Sequence, residues 1–204
     1  MNAPAVDLIS SESRQVDNPR PQAPGDPGVW FFVIADMAMF AIFFAIFMAG
    51  RAQAPELYAS SQALLDTRYG LANTLILLTS GACMAQAVIL ARAGKAVPTM
   101  RCLVLTLGIG LLFGVSKVME YSAKFAAGIN VTTNEFFGYY FAFTAIHFLH
   151  WFIGCGVLLA LMSRIRKTGL EGQNTIWIET GGIYWHMVDL LWVILFAMIY
   201  LLPA

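Results

Sequence analysis

Charge is scarce in this sequence. Of its 204 residues only 12% are Asp, Glu, Lys or Arg, about half of the roughly 25% usual in a soluble domain. Twelve basic and twelve acidic residues cancel, leaving neither a basic footprint for a nucleic acid nor an acidic tail. Cysteine is scarcer still. Cys83, Cys102 and Cys155 all sit in apolar runs with no CxxC or CxxCH, which excludes a disulfide framework, a zinc ribbon and a covalently attached c-type haem. What is abundant is apolar: 59% of residues are hydrophobic and the mean hydropathy is +0.69. Such a chain belongs in a membrane.

Residues 1–27 are polar and proline-rich and lack the apolar core of a secretory signal, so they read as a flexible tail ahead of one domain at 28–204. Five apolar segments follow, at about 29–49, 70–91, 101–122, 138–162 and 179–202. Each is near the roughly 20 residues that a helix needs to cross about 30 Å of hydrocarbon. Lipid satisfies no backbone hydrogen bonds, so runs of this length must be helices. The expected fold is all-α, an integral membrane bundle of five transmembrane helices. The stretches between them, RAQAPELYASSQALLDTR first among them, read as loops. No internal repeat stands out, which weakens a transporter reading based on inverted halves.

Lys and Arg set the orientation. The tail, second loop and fourth loop carry Arg14, Arg20, Arg92, Lys95, Arg101, Arg164, Arg166 and Lys167, against Arg51, Arg68, Lys117 and Lys124 on the other side. This excess places the N-terminus in the cytoplasm and the C-terminus outside. Glycines recur at helix-packing spacing, Gly110 with Gly114 and Gly154 with Gly156, and predict close helix packing. Trp30, Trp177, Trp185 and Tyr200 lie near span ends, where amphipathic rings anchor at the headgroup level. The run FFGYYFAF (136–143) reads as bundle packing or the lining of a lipid groove. RIRK (164–167) reads as a topology signal or a seat for an anionic headgroup.

A charge near the bilayer centre costs at least ~2.5–3.5 kcal/mol on insertion scales, so each one needs a partner or a task. Asp36 stands alone in WFFVIADMAMFAIFF, roughly 10 Å below the boundary at 1.5 Å per residue. It is either a hydrogen-bonded carboxyl facing the bundle or a group that exchanges a proton. Lys117 and Glu120 are one turn apart and predict a local ion pair, with Asn73 at the level of Glu120. Counting rises from opposite ends brings His186, Asp189 and His150 to comparable depths, where they can touch, and Glu179 lies seven residues before His186. All three histidines are intramembrane and His147 with His150 forms HxxH. A metal site on His147, His150 and His186 with Glu179 and Asp189 is therefore the sharp reading. Against it, no ExxH occurs, the pair that bundle di-metal sites use. The plain alternative is a network of imidazoles and carboxylates locking helices together.

The order of these motifs resembles subunit III of the haem-copper oxidase superfamily in its five-helix form, from about Gly25 to Leu202. The carriers are GVWFFVIAD, LANTLILLTSG, KVMEY, FTAIHFLHWFIG and ETGGIYWHMVDLLW, in the right spans and order. PGDPGVW, PELYASSQALLD, KFAAGI and TGGIYWHMVD look closest to the branch associated with nitric oxide reductases. The resemblance implies no catalytic residue, metal, haem or copper of the chain's own. It implies a haem-bearing catalytic partner subunit, phospholipid in a cleft between the first two core helices and the rest, and support for proton uptake in a bacterial-type inner membrane. Asp36 falls where the family carries a reactive carboxylate, as aspartate where the mitochondrial type has glutamate. Glu120, His147, His150, Glu179, Trp185, His186 and Asp189 match family positions that serve structure, and Lys117 is no general feature of the mitochondrial type. Two rival readings are a free-standing metalloenzyme using His147, His150 and His186, and a small proton channel using Asp36 and Asp189.

Overall fold

In the computed structural model, residues 23–170 and 174–202 are described. The helices are α1 (Pro27–Gln53), α2 (Pro55–Gln62), α3 (Thr67–Arg92), α4 (Ala96–Ala126), α5 (Glu135–Thr168) and α6 (Asn174–Phe196), the last continuing as a π-helical turn, Ala197–Leu201. Among the described residues there is no strand, and five helices are long and apolar enough to cross a membrane. The five-span bundle is thus as the hydropathy requires. The expected tail lies mostly outside the described residues.

Helix starts follow side-chain chemistry. Asp26 accepts from the Gly28 N–H at 2.7 Å, with Pro27 opening α1, where a missing N–H costs nothing. Asp66 accepts from Arg68 at 2.9 Å and Asn134 from Phe137 at 3.0 Å, each supplying an acceptor for a first-turn donor. Gly94, at φ 71°, turns α3 into α4; a Cβ there would meet nothing within 4 Å, so glycine is required by backbone conformation and not by space.

Two sequence expectations change. The first loop contains α2, a helix opened by Pro55, which hydropathy overlooks because the segment is short and polar. The fourth span is longer than expected, Glu135–Thr168 instead of 138–162, because amphipathic turns rich in Arg and Lys extend it beyond the hydrocarbon.

Helix α3 packs mainly on α4 and α6, α5 on α6 and α4, and α1 chiefly on α6. Rings of α1 also meet α5, with Phe43 and Phe143 stacked at 5.9 Å between centroids. The first two spans therefore do not form a pair set against the rest, as the expected cleft would need; each joins the bundle by a different face. Helix α1 is the least buried of the five spans.

The expected glycine contacts take a specific form. The Trp185 indole lies between α4 and α5: a Cβ on Gly110 would stand 2.8 Å from it and one on Gly154 2.9 Å. Its N–H donates to Ser80 Oγ on α3 at 3.2 Å. Gly114 makes room for Trp151, whose N–H donates to the Gly110 carbonyl at 3.0 Å. These glycines admit indoles, whereas Gly156 faces nothing within 4 Å. Trp185 and Tyr200 are accordingly buried and do not anchor at the surface. Trp30 and Trp177 are exposed, at 37% and 42%. Phe136, Phe137, Tyr140, Phe141 and Phe143 are buried, so FFGYYFAF is bundle packing.

Candidate functional site

Four polar contacts lie in the bundle at different depths, three of them reaching between spans, and one holds a complete buried ion pair. Lys117 Nζ stands 2.9 Å from Glu120 Oε2, with both side chains almost wholly buried, as their one-turn spacing predicts. The other carboxylate oxygen, Oε1, accepts from Tyr140 Oη at 2.8 Å and Tyr200 Oη at 2.5 Å. Three donors on one carboxylate replace the water that ionised groups lose in hydrocarbon, and without them the pair would be too costly to bury. The rings of Tyr121, Tyr140, Trp192 and Tyr200 lie 5.0–5.9 Å from the ammonium, within cation–π range. Tyr200 belongs to the π-helical turn; such wide turns recur at functional positions. Lys124, one turn beyond Glu120, instead donates to the Leu64 carbonyl at 2.5 Å.

The second contact joins α1 to α5. His150 Nε2 lies 3.2 Å from Asp36 Oδ1, and its Nδ1 lies 2.9 Å from the Ile146 carbonyl. A carbonyl only accepts, so Nδ1 carries a hydrogen. The Nε2–Asp36 hydrogen bond then needs one further proton, held by either the ring or the carboxyl. Asp36 is 6% exposed and faces the bundle. Its Oδ2 has no hydrogen-bond partner.

His186 Nδ1 lies 3.3 Å from Asp189 Oδ2 within α6, and His150 takes Asp36 instead of joining them. Glu179 pairs with Arg92 of α3 at 2.7 Å and accepts the Gly25 N–H at 2.8 Å, while Thr180 Oγ1 accepts from the Asp26 N–H at 2.9 Å. One carboxylate thus draws α3, α6 and the segment before α1 to the same end of the bundle. On the other side of the membrane, burial first and the charge of Glu135 second push the Tyr58 phenol of α2 above its usual range.

Asn73 and His147 are fully buried. Asn73, expected at the level of Glu120, makes no hydrogen bond to it: the Asn73 and His147 side chains have no hydrogen-bond partner, whereas the Glu120 carboxylate is taken by Lys117, Tyr140 and Tyr200. His147 lies between the rings of Phe113 and Trp192, at 5.5 and 5.3 Å between centroids. The three histidines therefore go three ways, His147 to aromatic rings, His150 to α1 and His186 to its own helix. Among the described residues no group of three His, Cys, Asp or Glu side chains converges as a metal site would.

Sequence reasoning missed Tyr140, Tyr200 and Trp192 as parts of the polar centre. Their spacing carries a signal: Tyr140 precedes His147 by seven residues, and Trp192 follows Asp189 by three, placing each on the same helix face as a polar residue already suspect.

Along α5 and α6, near the Arg- and Lys-rich end, runs a groove of about 630 Å³ whose lining includes Val157, Leu161, Gly181 and Tyr184 together with Arg164, Lys167 and Trp177. The Arg164 guanidinium lies 5.3 Å from the Trp177 ring centre.

A bundle of five membrane helices laced by intramembrane polar pairs defines the class. Residues 22–203 match the family of cytochrome c oxidase subunit III. The chain is 27% identical over 181 residues to "Cytochrome bo(3) ubiquinol oxidase subunit 3" of Buchnera aphidicola, covering 85% of this chain and 84% of that one. It is 31% identical to "Cytochrome c oxidase subunit 3" of Schizophyllum commune, over 85% of this chain and 66% of that one. It is 25% identical to "Probable quinol oxidase subunit 3" of Staphylococcus aureus, over 86% and 87%. The chain belongs to the cytochrome c oxidase subunit III family.

Proposed function

We propose that this chain is the non-catalytic third subunit of a haem-copper respiratory complex, seated beside a haem-bearing catalytic subunit in a bacterial-type inner membrane, N-terminus inside. The observation that carries the reading is how the intramembrane polar residues are used. Asp36 meets His150, Glu120 meets Lys117 and two tyrosines, His186 meets Asp189, and Glu179 meets Arg92. Groups that satisfy one another, within helices and across them, build a scaffold, and haem, copper and electron transfer then belong to the partner. Purification in mild detergent tests this. Mass spectrometry is expected to find a large haem-bearing membrane subunit in the preparation, and the optical spectrum should follow that subunit. Turnover, or stoichiometric iron or copper, in this polypeptide alone would refute it.

The groove beside Arg164 and Lys167 supports phospholipid binding: a mostly apolar trough that could take an acyl chain has two cations in its lining, the complement of an anionic headgroup. Lys167→Glu is expected to lower the anionic phospholipid recovered with the complex, leaving zwitterionic lipid unchanged. Asp36, the one carboxyl on α1, supports proton delivery to the partner indirectly; an unchanged turnover lifetime in Asp36→Asn would remove that role.

The relatives above are named as subunits of oxidases, whereas PGDPGVW and TGGIYWHMVD favour a nitric oxide reductase complex. The reaction of the co-purified partner, oxygen or nitric oxide consumption, decides between them.

A further inference from the structure

Asn73 and His147 carry four polar side-chain atoms, Asn73 Oδ1 and Nδ2 and His147 Nδ1 and Nε2, and none makes a hydrogen bond to the protein. Both residues are 0% exposed, so neither a lipid headgroup nor a partner subunit reaches them. Buried amides and imidazoles normally have partners, and hydrocarbon makes their lack costlier than water does. A molecule the size of water is small enough to satisfy groups enclosed in this way.

Both residues adjoin groups that touch the Lys117–Glu120 centre. Asn73 precedes Thr74, whose Oγ1 accepts the Trp192 N–H at 3.1 Å, and lies one turn from Gly70, where a Cβ would stand 3.1 Å from the Tyr200 ring. Trp192 and Tyr200 are two of the rings around the Lys117 ammonium. His147 faces the same Trp192. Its other neighbour, Phe113, is one turn from Lys117 on α4. It lies two turns from Tyr140 on α5, on the same face. The rings beside His147 offer it nothing: Phe113 has no polar atom, and the Trp192 N–H is already given to Thr74.

We propose that Asn73 and His147 bind ordered water, which joins them to the Lys117–Glu120–Tyr140–Tyr200 centre as one hydrogen-bonded unit spanning α3, α4, α5 and α6. The ligand is water and the site is internal to this chain. Globular proteins hold about one buried water per 27 residues, so such a site is ordinary in kind; its place inside a membrane bundle, against a buried ion pair, is what is new. The hydration makes His147 a polar link, with its ring N–H donated to water.

The test uses the assembled complex. In the wild-type complex carrying labelled histidine, solid-state NMR is expected to show magnetisation passing from water protons to the His147 ring within the time set by a hydrogen-bonded water. No transfer to that ring would overturn the proposal, and this measurement needs no variant to fold. In variants, His147→Phe and Asn73→Leu remove the polar atoms while roughly keeping volume. Each is expected to speed thermal inactivation several-fold, and the double variant to be slower to inactivate than the product of the two effects predicts, because both lose the same water. Variants as durable as the wild type, or more so, would show that the groups were unsatisfied burdens and refute the site.

Discussion

At the scale of single residues, the cost of burial predicts which substitutions matter. Lys117→Met leaves the Glu120 carboxylate buried without its cation, and breaking such a pair costs about 3–5 kcal/mol. Lys117→Met with Glu120→Gln removes both charges and keeps an acceptor for Tyr140 and Tyr200. The expected result is severe loss of assembled complex in the single variant and recovery of most of it in the double, read by yield and thermal inactivation. At Asp36, leucine strips His150 Nε2 of its partner and is expected to cost about 1–3 kcal/mol. Asparagine, whose amide can donate to that nitrogen, should stay within about 1 kcal/mol of wild type by the same accounting. Equal losses in both variants would show that the contact does not hold α1 in place. The presence of an Asp36 contact and the Lys117–Glu120 pair was legible in sequence, since isolated charges in apolar runs must be matched. That Asp36 would meet His150, not lipid, was not legible, because it depends on how α1 is rotated against α5.

At the scale of elements, glycine spacing marks contact faces without naming the occupant. Gly110→Leu and Gly154→Val push against the Trp185 indole from opposite sides, and overpacking of this kind costs typically about 1–3 kcal/mol. Gly156→Ala meets nothing within 4 Å and should be neutral, or stabilising by up to about 1 kcal/mol through helix propensity. Differential scanning of the purified complex distinguishes the two classes, and equal sensitivity would contradict the packing described. The same helices show why span ends are hard to read. Near the Arg- and Lys-rich end, α5 continues through Ile165, which is buried, to Arg166 and Lys167, which are exposed. Hydropathy falls there although helical hydrogen bonding does not. In α6, Trp185 stands near the middle of the helix because the span begins at Asn174 and not at residue 179. That shift converts an expected interfacial anchor into a core residue.

For the whole molecule, the polar pairs lie at several depths and hold α1 to α5, α4 to α5 and α6, and α3 to α6. The lipid-facing surface is left to apolar side chains, among them Phe31, Ile34, Ile42 and Ile46 of α1. Because α1 is the least buried span, it is expected to be the first to separate when the complex is removed from lipid. Cross-linking or limited proteolysis in rising detergent should release α1 before any contact between α3 and α4 is lost, and the reverse order would disprove this hierarchy. The number of spans, their helical state and the family resemblance follow from composition and motif order, because each is a sum over neighbouring residues or a pattern along the chain. Which buried groups face one another was settled only in three dimensions. A histidine's depth can be counted from its place in a span, but its partner depends on the relative rotation of helices far apart in the chain, and among α4, α5 and α6 tryptophans seated on glycines fix how the helices meet.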